Sequence, residues 1–156
     1  MEGCIRQALL EDVPAIVDLS EKKRVQYQQY QPLFWRKAED SRGRHAVFLP
    51  HVLSRDNVIA FVHEAGGVVN GFVIGSLVPS PPVYSAGLTC SIDDFCVVEH
   101  DWLVIGRLLL DAAVQAARDR GASQCVVVCG NMDQPKREML AKLGYTIASE
   151  WWTKPI

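Results

Sequence analysis

The stretch Val97–Leu110, VVEHDWLVIGRLLL, runs from an apolar strand through a short polar joint into an amphipathic helix. A parallel strand followed by such a joint is where α/β proteins hold phosphates, against the free N–H groups of a helix start. Upstream, Cys90–Val98 reads as the strand that feeds the joint. Downstream, Leu103–Arg120 reads as the helix, with Leu109, Ala112, Ala113 and Ala116 on one apolar stripe. Gly121 ends it, and Gln124–Cys129 (QCVVVC) reads as a second, buried strand. Strand, helix and strand in this order make a right-handed βαβ unit.

The N-terminal half has a different pattern. Residues 4–9 form a first strand, and Glu11–Tyr30 a helix opened by Glu11, Asp12 and Pro14. The polar and aromatic segment that follows is broken by Pro32 and Gly43, and Ala46–Leu53 reads as a short helix. Asn57–Glu64 and Val68–Val78 flank Ala65-Gly66-Gly67, which predicts a β-hairpin. At the C-terminal end, Pro135–Leu143 reads as a helix stopped by Gly144, and Thr146–Trp152 as a last strand. An antiparallel hairpin followed by a βαβ unit predicts an α/β fold with a mixed sheet flanked by helices. With 156 residues and no repeat or linker, residues 1–156 read as a single domain.

Composition narrows the classes of function. The chain is 49% hydrophobic and 22% charged, with a formal net charge of −2. That is ordinary globular composition and argues against a general nucleic-acid binder, which shows a basic face. No stretch is apolar over the length needed to span a membrane, and no N-terminal signal pattern is visible. The five cysteines are odd in number and form no CxxC, which reads as reduced thiols in a cytoplasmic protein. The four histidines do not pair with them at zinc spacing, so no metal site is expected.

Four stretches together resemble the GCN5-related N-acetyltransferase (GNAT) superfamily. IRQALLEDVPAIVDL is similar to its opening strand and helix, and VHEAGGVVNGFVIGSLV to its hairpin. IDDFCVVEHDWLVIGRLLLDAAVQAARDRGASQCVVV resembles its acyl-CoA-binding core, and DQPKREMLAKLGY its closing helix. The resemblance implies acetyl-CoA as cosubstrate and a small-molecule or peptide amine as acceptor, acylated by direct attack in a ternary complex. It implies donor contacts by the backbone of Phe95, Cys96, Val97 and Val98 and by the helix start at Val104, Ile105, Gly106 and Arg107. The family's frequent Asn at the start of the closing helix aligns with Asp133, and Asn131, two residues earlier, is the alternative for that role. The acceptor wall falls to Tyr27, Tyr30, Phe34 and Trp35, with Tyr84 in the loop PSPPVYSAG; the same aromatic residues read equally as a satellite cluster packing a long loop.

Set against the family's [Q/R]-x-x-G-x-[G/A] pattern, the joint keeps only Gly106. Asp101 stands for the basic or amide residue and Val104 for a glycine. Asp101 suits a helix N-cap and repels a pyrophosphate. Arg107 reads either as a phosphate ligand or as a solvated helix residue. The candidate bases are Asp93 and Asp94, adjacent on one strand and so pointing to opposite faces; Glu64 and His100 are further candidates. The family's tyrosine acid falls on Leu140, which has no proton to give. Tyr145 reads as core, and Cys129 either as a thiol acid or as a buried apolar residue. These departures keep open a second reading, a catalytically weak or inactive GNAT-fold binding or regulatory protein. The closing Trp151-Trp152 pair offers apolar surface for a homodimer.

Overall fold

Gly66 and Gly67 both take positive φ, 60° and 77°, as a two-residue primed hairpin turn requires. In the computed structural model, which describes residues 3–98 and 101–156, this turn joins β2 (Val58–Ala65) to β3 (Val68–Pro79). β1 (Cys4–Gln7) pairs antiparallel with β2, and β4 (Leu88–Val97) antiparallel with β3. β5 (Gln124–Val127) pairs parallel with β4. The sheet is mixed and five-stranded, in the order β1-β2-β3-β4-β5.

The helices cover both faces. α1 (Val13–Tyr30) and α2 (Ser41–Leu53) place Ile16, Val17, Leu19 and Leu49 against Val62, Phe72, Ile74 and Cys96. α3 (Arg107–Asp119) and α4 (Gln134–Lys142) place Leu109, Leu110, Ala113 and Met139 against Val73, Ile92, Phe95 and Val97. Each buried Val, Leu, Ile, Phe or Met side chain among these contributes about 1.5–3 kcal/mol. The buried stripe of α3 is Leu109, Leu110, Ala113 and Ala117, one position round from the expected one.

Several element limits differ from the sequence pattern. α1 starts at Val13 because Leu10–Asp12 forms a separate 3-10 turn. Asp12 there accepts two bonds of 2.8 Å from Arg6 and one of 2.7 Å from the Leu9 N–H. α2 begins at Ser41 and runs through Gly43; its polar first turn is held by tertiary contact, Ser41 Oγ donating to Glu21 at 2.7 Å. The predicted strand Thr146–Trp152 does not form. Residues 146–156 are exposed and carry no strand, since a strand needs a ladder partner and none is supplied among the described residues. Gly121 and Gly144 end α3 and α4 with φ of 91° and 83°. No helix among the described residues is long and apolar enough to cross a membrane.

Candidate active site

The site begins with an irregularity in β4. Ile74 pairs with Asp94 and Gly75 with Ile92, so Asp93 is opposed by nothing. Such a bulge breaks strand alternation and re-aims side chains. The two acids therefore do not point to opposite faces; both lie beside α1. Asp94 accepts a bond from Lys23 Nζ at 2.8 Å. Asp93 lines a cavity of about 70 Å³ with Lys23, Arg24 and Tyr27. Their protonation differs accordingly. Burial would raise the Asp94 carboxyl, but Lys23 outweighs it and holds the pKa below the usual carboxylate range. Asp93 is exposed on one side, and its partial desolvation, with the charge of Asp94 adding, raises it.

Beyond the bulge β4 leaves β5. Their register ends at Ile92 and Val127, and the last bond runs from the Val128 N–H to the Ile92 carbonyl at 2.9 Å. From Asp93 onward the β4 edge facing β5 is unpaired among the described residues. Phe95 and Val97 send their side chains into the α3-side core and Cys96 into the α1-side core, where partly buried Val98 also packs. Whatever these four residues offer a ligand is backbone.

Tyr27 and Lys136 line the opening between the strands, with Asp133 behind Tyr27. Tyr27 O–H donates to Asp133 Oδ2 at 2.5 Å and accepts from the Gly130 N–H at 3.2 Å. The other Asp133 oxygen, Oδ1, is buried without a partner among the described residues. Lys136 is only 2% exposed. Its Nζ donates to the Val128 carbonyl at 2.9 Å and stands 5.1 and 5.2 Å from the ring centres of Phe95 and Trp102. No carboxylate lies within ion-pair distance of it among the described residues. Burial, with Lys23 adding, pushes its pKa down to about 8.

A larger groove of about 520 Å³ lies on the same face of the sheet, lined by Thr89 and Ser91 of β4, Gln124 and Val126 of β5, Val78 and Tyr84. Alternate strand residues share a face, so Thr89, Ser91 and then the bulge at Asp93 follow one line. No charged side chain among the described residues lines this groove.

The joint before α3 is a π-helical turn, Trp102–Gly106, with the Gly106 N–H donating to the Asp101 carbonyl at 3.1 Å. The Asp101 side chain makes no capping bond, contrary to the N-cap expectation: the wide turn is closed by the Asp101 backbone. Gly106 has ordinary helical φ, −58°, and is small for packing. A Cβ there would meet the Trp102 ring at 2.9 Å and Met139 Sδ at 3.2 Å. Ile105 is buried, Val104 is 60% exposed, and Arg107 faces solvent 3.6 Å from Asp111. Glu99 and His100 lie outside the described residues.

No protein-family model matches the chain. No curated protein matches it in sequence. Solved structures do match. A predicted acetyltransferase of Clostridium acetobutylicum with acetyl-CoA superposes with a TM-score of 0.76 at 15% identity, over 99% of this chain and 96% of that one. The aminoglycoside N-acetyltransferase AAC(6')-Iy in complex with CoA gives 0.75 at 14%, over 99% and 95%. A ribosomal-protein-alanine N-acetyltransferase of Brucella melitensis gives 0.68 at 18%, over 99% and 100%. The fold is that of the GNAT acetyltransferases.

Within this GNAT fold the predicted site residues separate into groups. Tyr27, Tyr30, Phe34 and Trp35 do come together, with ring centres 5.6 Å apart for Tyr27–Tyr30, 5.1 Å for Tyr27–Trp35 and 4.6 Å for Phe34–Trp35. Trp151 joins them, 5.6 Å from Phe34. Tyr84 stands apart, in the larger groove. Asn131 is turned outward to Arg137 at 3.2 Å, whereas Asp133 points inward. Glu64 is paired with Arg6 at 2.6 Å. Leu140 and Tyr145 pack on the core.

Sequence reading missed Lys136 and Lys23. A signal for Lys136 was present: it begins the stripe Lys136, Met139, Leu140, Leu143, whose other members pack in the core.

Proposed function

We propose that the chain is an acyl-CoA-dependent N-acyltransferase that moves an acetyl group from acetyl-CoA to a primary amine by direct attack in a ternary complex. The observation that carries this reading is the opening between β4 and β5, with an unpaired strand edge on one side and, behind Tyr27, an Asp133 Oδ1 buried without a partner among the described residues. These fit the donor. The edge at Phe95–Val98 offers backbone bonds to an extended amide-bearing arm, and Asp133 Oδ1 accepts from an amide N–H. At the helix start, Val104 and Ile105 offer N–H groups to phosphate, while those of Gly106 and Arg107 already donate to the carbonyls of Asp101 and Trp102. Acetyl-CoA supplies the activated thioester.

Asp93 takes the proton of the attacking amine. It is the carboxylate of the pair without a lysine bonded to it, and its raised pKa makes it the better base. The amine arrives along the uncharged groove that leads to Asp93, between Tyr84 and the wall formed by Tyr27, Tyr30, Phe34 and Trp35. An uncharged groove suits an amine on a neutral body, small molecule or peptide; polycations call for acidic walls.

Calorimetric titration with acetyl-CoA, and separately with its pantetheine fragment, tests the reading. Micromolar binding that weakens when the pyrophosphate is removed is expected; no binding of either sinks it. One observation favours a second reading, a GNAT-fold binding protein with little catalysis. The cavity beside Asp93 holds only about 70 Å³, below the few hundred of ordinary ligand pockets. Tight CoA binding with no acetyl transfer to any of a panel of neutral amines and peptides would select that reading.

A further inference from the structure

Lys136 is the group that the reaction above does not yet use. An ammonium buried among apolar rings with no anion in ion-pair contact is costly and is retained rarely. Here the Val128 carbonyl and the faces of Phe95 and Trp102 solvate it in part. It lies at the place where β4 and β5 part, in the same cavity wall as Asp93. A negative charge that forms there and nowhere else would repay its burial.

Resting on the acyltransferase reading, we propose that Lys136 is the proton donor to the departing thiolate, its ammonium held in the opening between β4 and β5 by the Val128 carbonyl. The amine nitrogen bonds to the acetyl carbon and gives its proton to Asp93. As the carbon–sulfur bond breaks, sulfur keeps the bonding electrons and takes a proton from Lys136 Nζ. Solvent exchange then returns a proton from Asp93 to Lys136. Lys136 thereby fills the role left open by Leu140, from one helical turn earlier on the same face. The pair shows the divergence expected of a base and an acid sharing one site: Asp93 is raised and Lys136 lowered to about 8. The titratable groups facing Lys136 are Lys23, Arg24 and Tyr27 from α1, Asp93 and Cys96 from β4, and Cys129 and Asp133 from the β5–α4 connection.

The test needs no acceptor. Free CoA, isotopically labelled at the carbon next to sulfur, is bound to the wild type and to Lys136→Met, and the thiol is titrated by the NMR shift of that carbon. The bound thiol should ionise about one pH unit or more lower in the wild type than in the variant. Equal thiol titration in both overturns the role of Lys136 while leaving the donor reading intact. Failure of the wild type to bind CoA overturns the donor reading and this proposal with it. Should Lys136→Met not fold, Lys136→Gln removes the charge, keeps a donor for Val128, and carries the same comparison.

Discussion

Two strand-to-helix joints frame the βαβ unit and its sequel, and they are built on opposite principles. The first, from β4 into α3, draws attention as a sequence because it looks like a phosphate loop with acids in it. In the structure it is chiefly a packing joint: Trp102 is buried edge-on against Phe95, their ring centres 4.9 Å apart, and Gly106 makes room for it. The second, from β5 into α4, reads as an unremarkable turn, CGNMDQPK. It holds the buried Asp133 and Lys136 and receives Tyr27 from the far helix. A recognisable loop pattern therefore marked the fold, while the buried polar chemistry sat in the loop without one.

The comparison can be broken in four places. The largest effect is expected at the first joint from Trp102→Ala, a loss of about 3–5 kcal/mol in denaturant unfolding; a loss under 1 would mean that this joint is not held by packing. At the second joint, Tyr27→Phe strands Asp133 and the Gly130 N–H in the interior, at a cost of about 1–3 kcal/mol. A neutral result would show that water replaces the hydroxyl and that the joint is not closed by it.

The third is a pH effect. Lys136 has its pKa lowered to about 8 in the folded chain, against about 10.4 for an unfolded lysine. Between these values the unfolded chain binds the extra proton, so this group makes stability rise with pH across that window. Below it the cost of the buried charge is fully present. Lys136→Met should therefore raise stability at pH 7 by about 1–2 kcal/mol, with the advantage shrinking as pH climbs through the window. A variant less stable at pH 7, or an advantage independent of pH, contradicts the burial of a charged lysine. The smallest effect is expected from Asp101→Ala, which has no cap to lose and should stay within about 0.5 kcal/mol. A loss of about 1 kcal/mol would restore the N-cap reading.

Much of the fold was legible because its signals are local. The Gly-Gly turn, the apolar runs of the hairpin and the helix-stopping glycines act over a few residues. The misses have tertiary causes. The strand expected at Thr146–Trp152 has the right composition and no partner. The first turn of α2 is polar and stands through contacts with α1. The candidate site was legible in part: the four aromatic residues after and within α1 do gather, and Asp93 does line a cavity. Strict alternation misplaced the two acids, because a bulge is a property of the pairing between two strands and leaves no mark on one of them. Lys136 was passed over because a lysine on a short helix is usually solvated.

By itself the sequence determined the order of elements, the antiparallel hairpin and the βαβ unit, since periodicity and turn chemistry depend on neighbours along the chain. Only the tertiary structure decided which acid stays unpaired, which glycine serves packing, and that a lysine lies buried where two strands diverge. Those outcomes depend on desolvation and on partners distant in sequence, such as Lys23 for Asp94 and Tyr27 for Asp133.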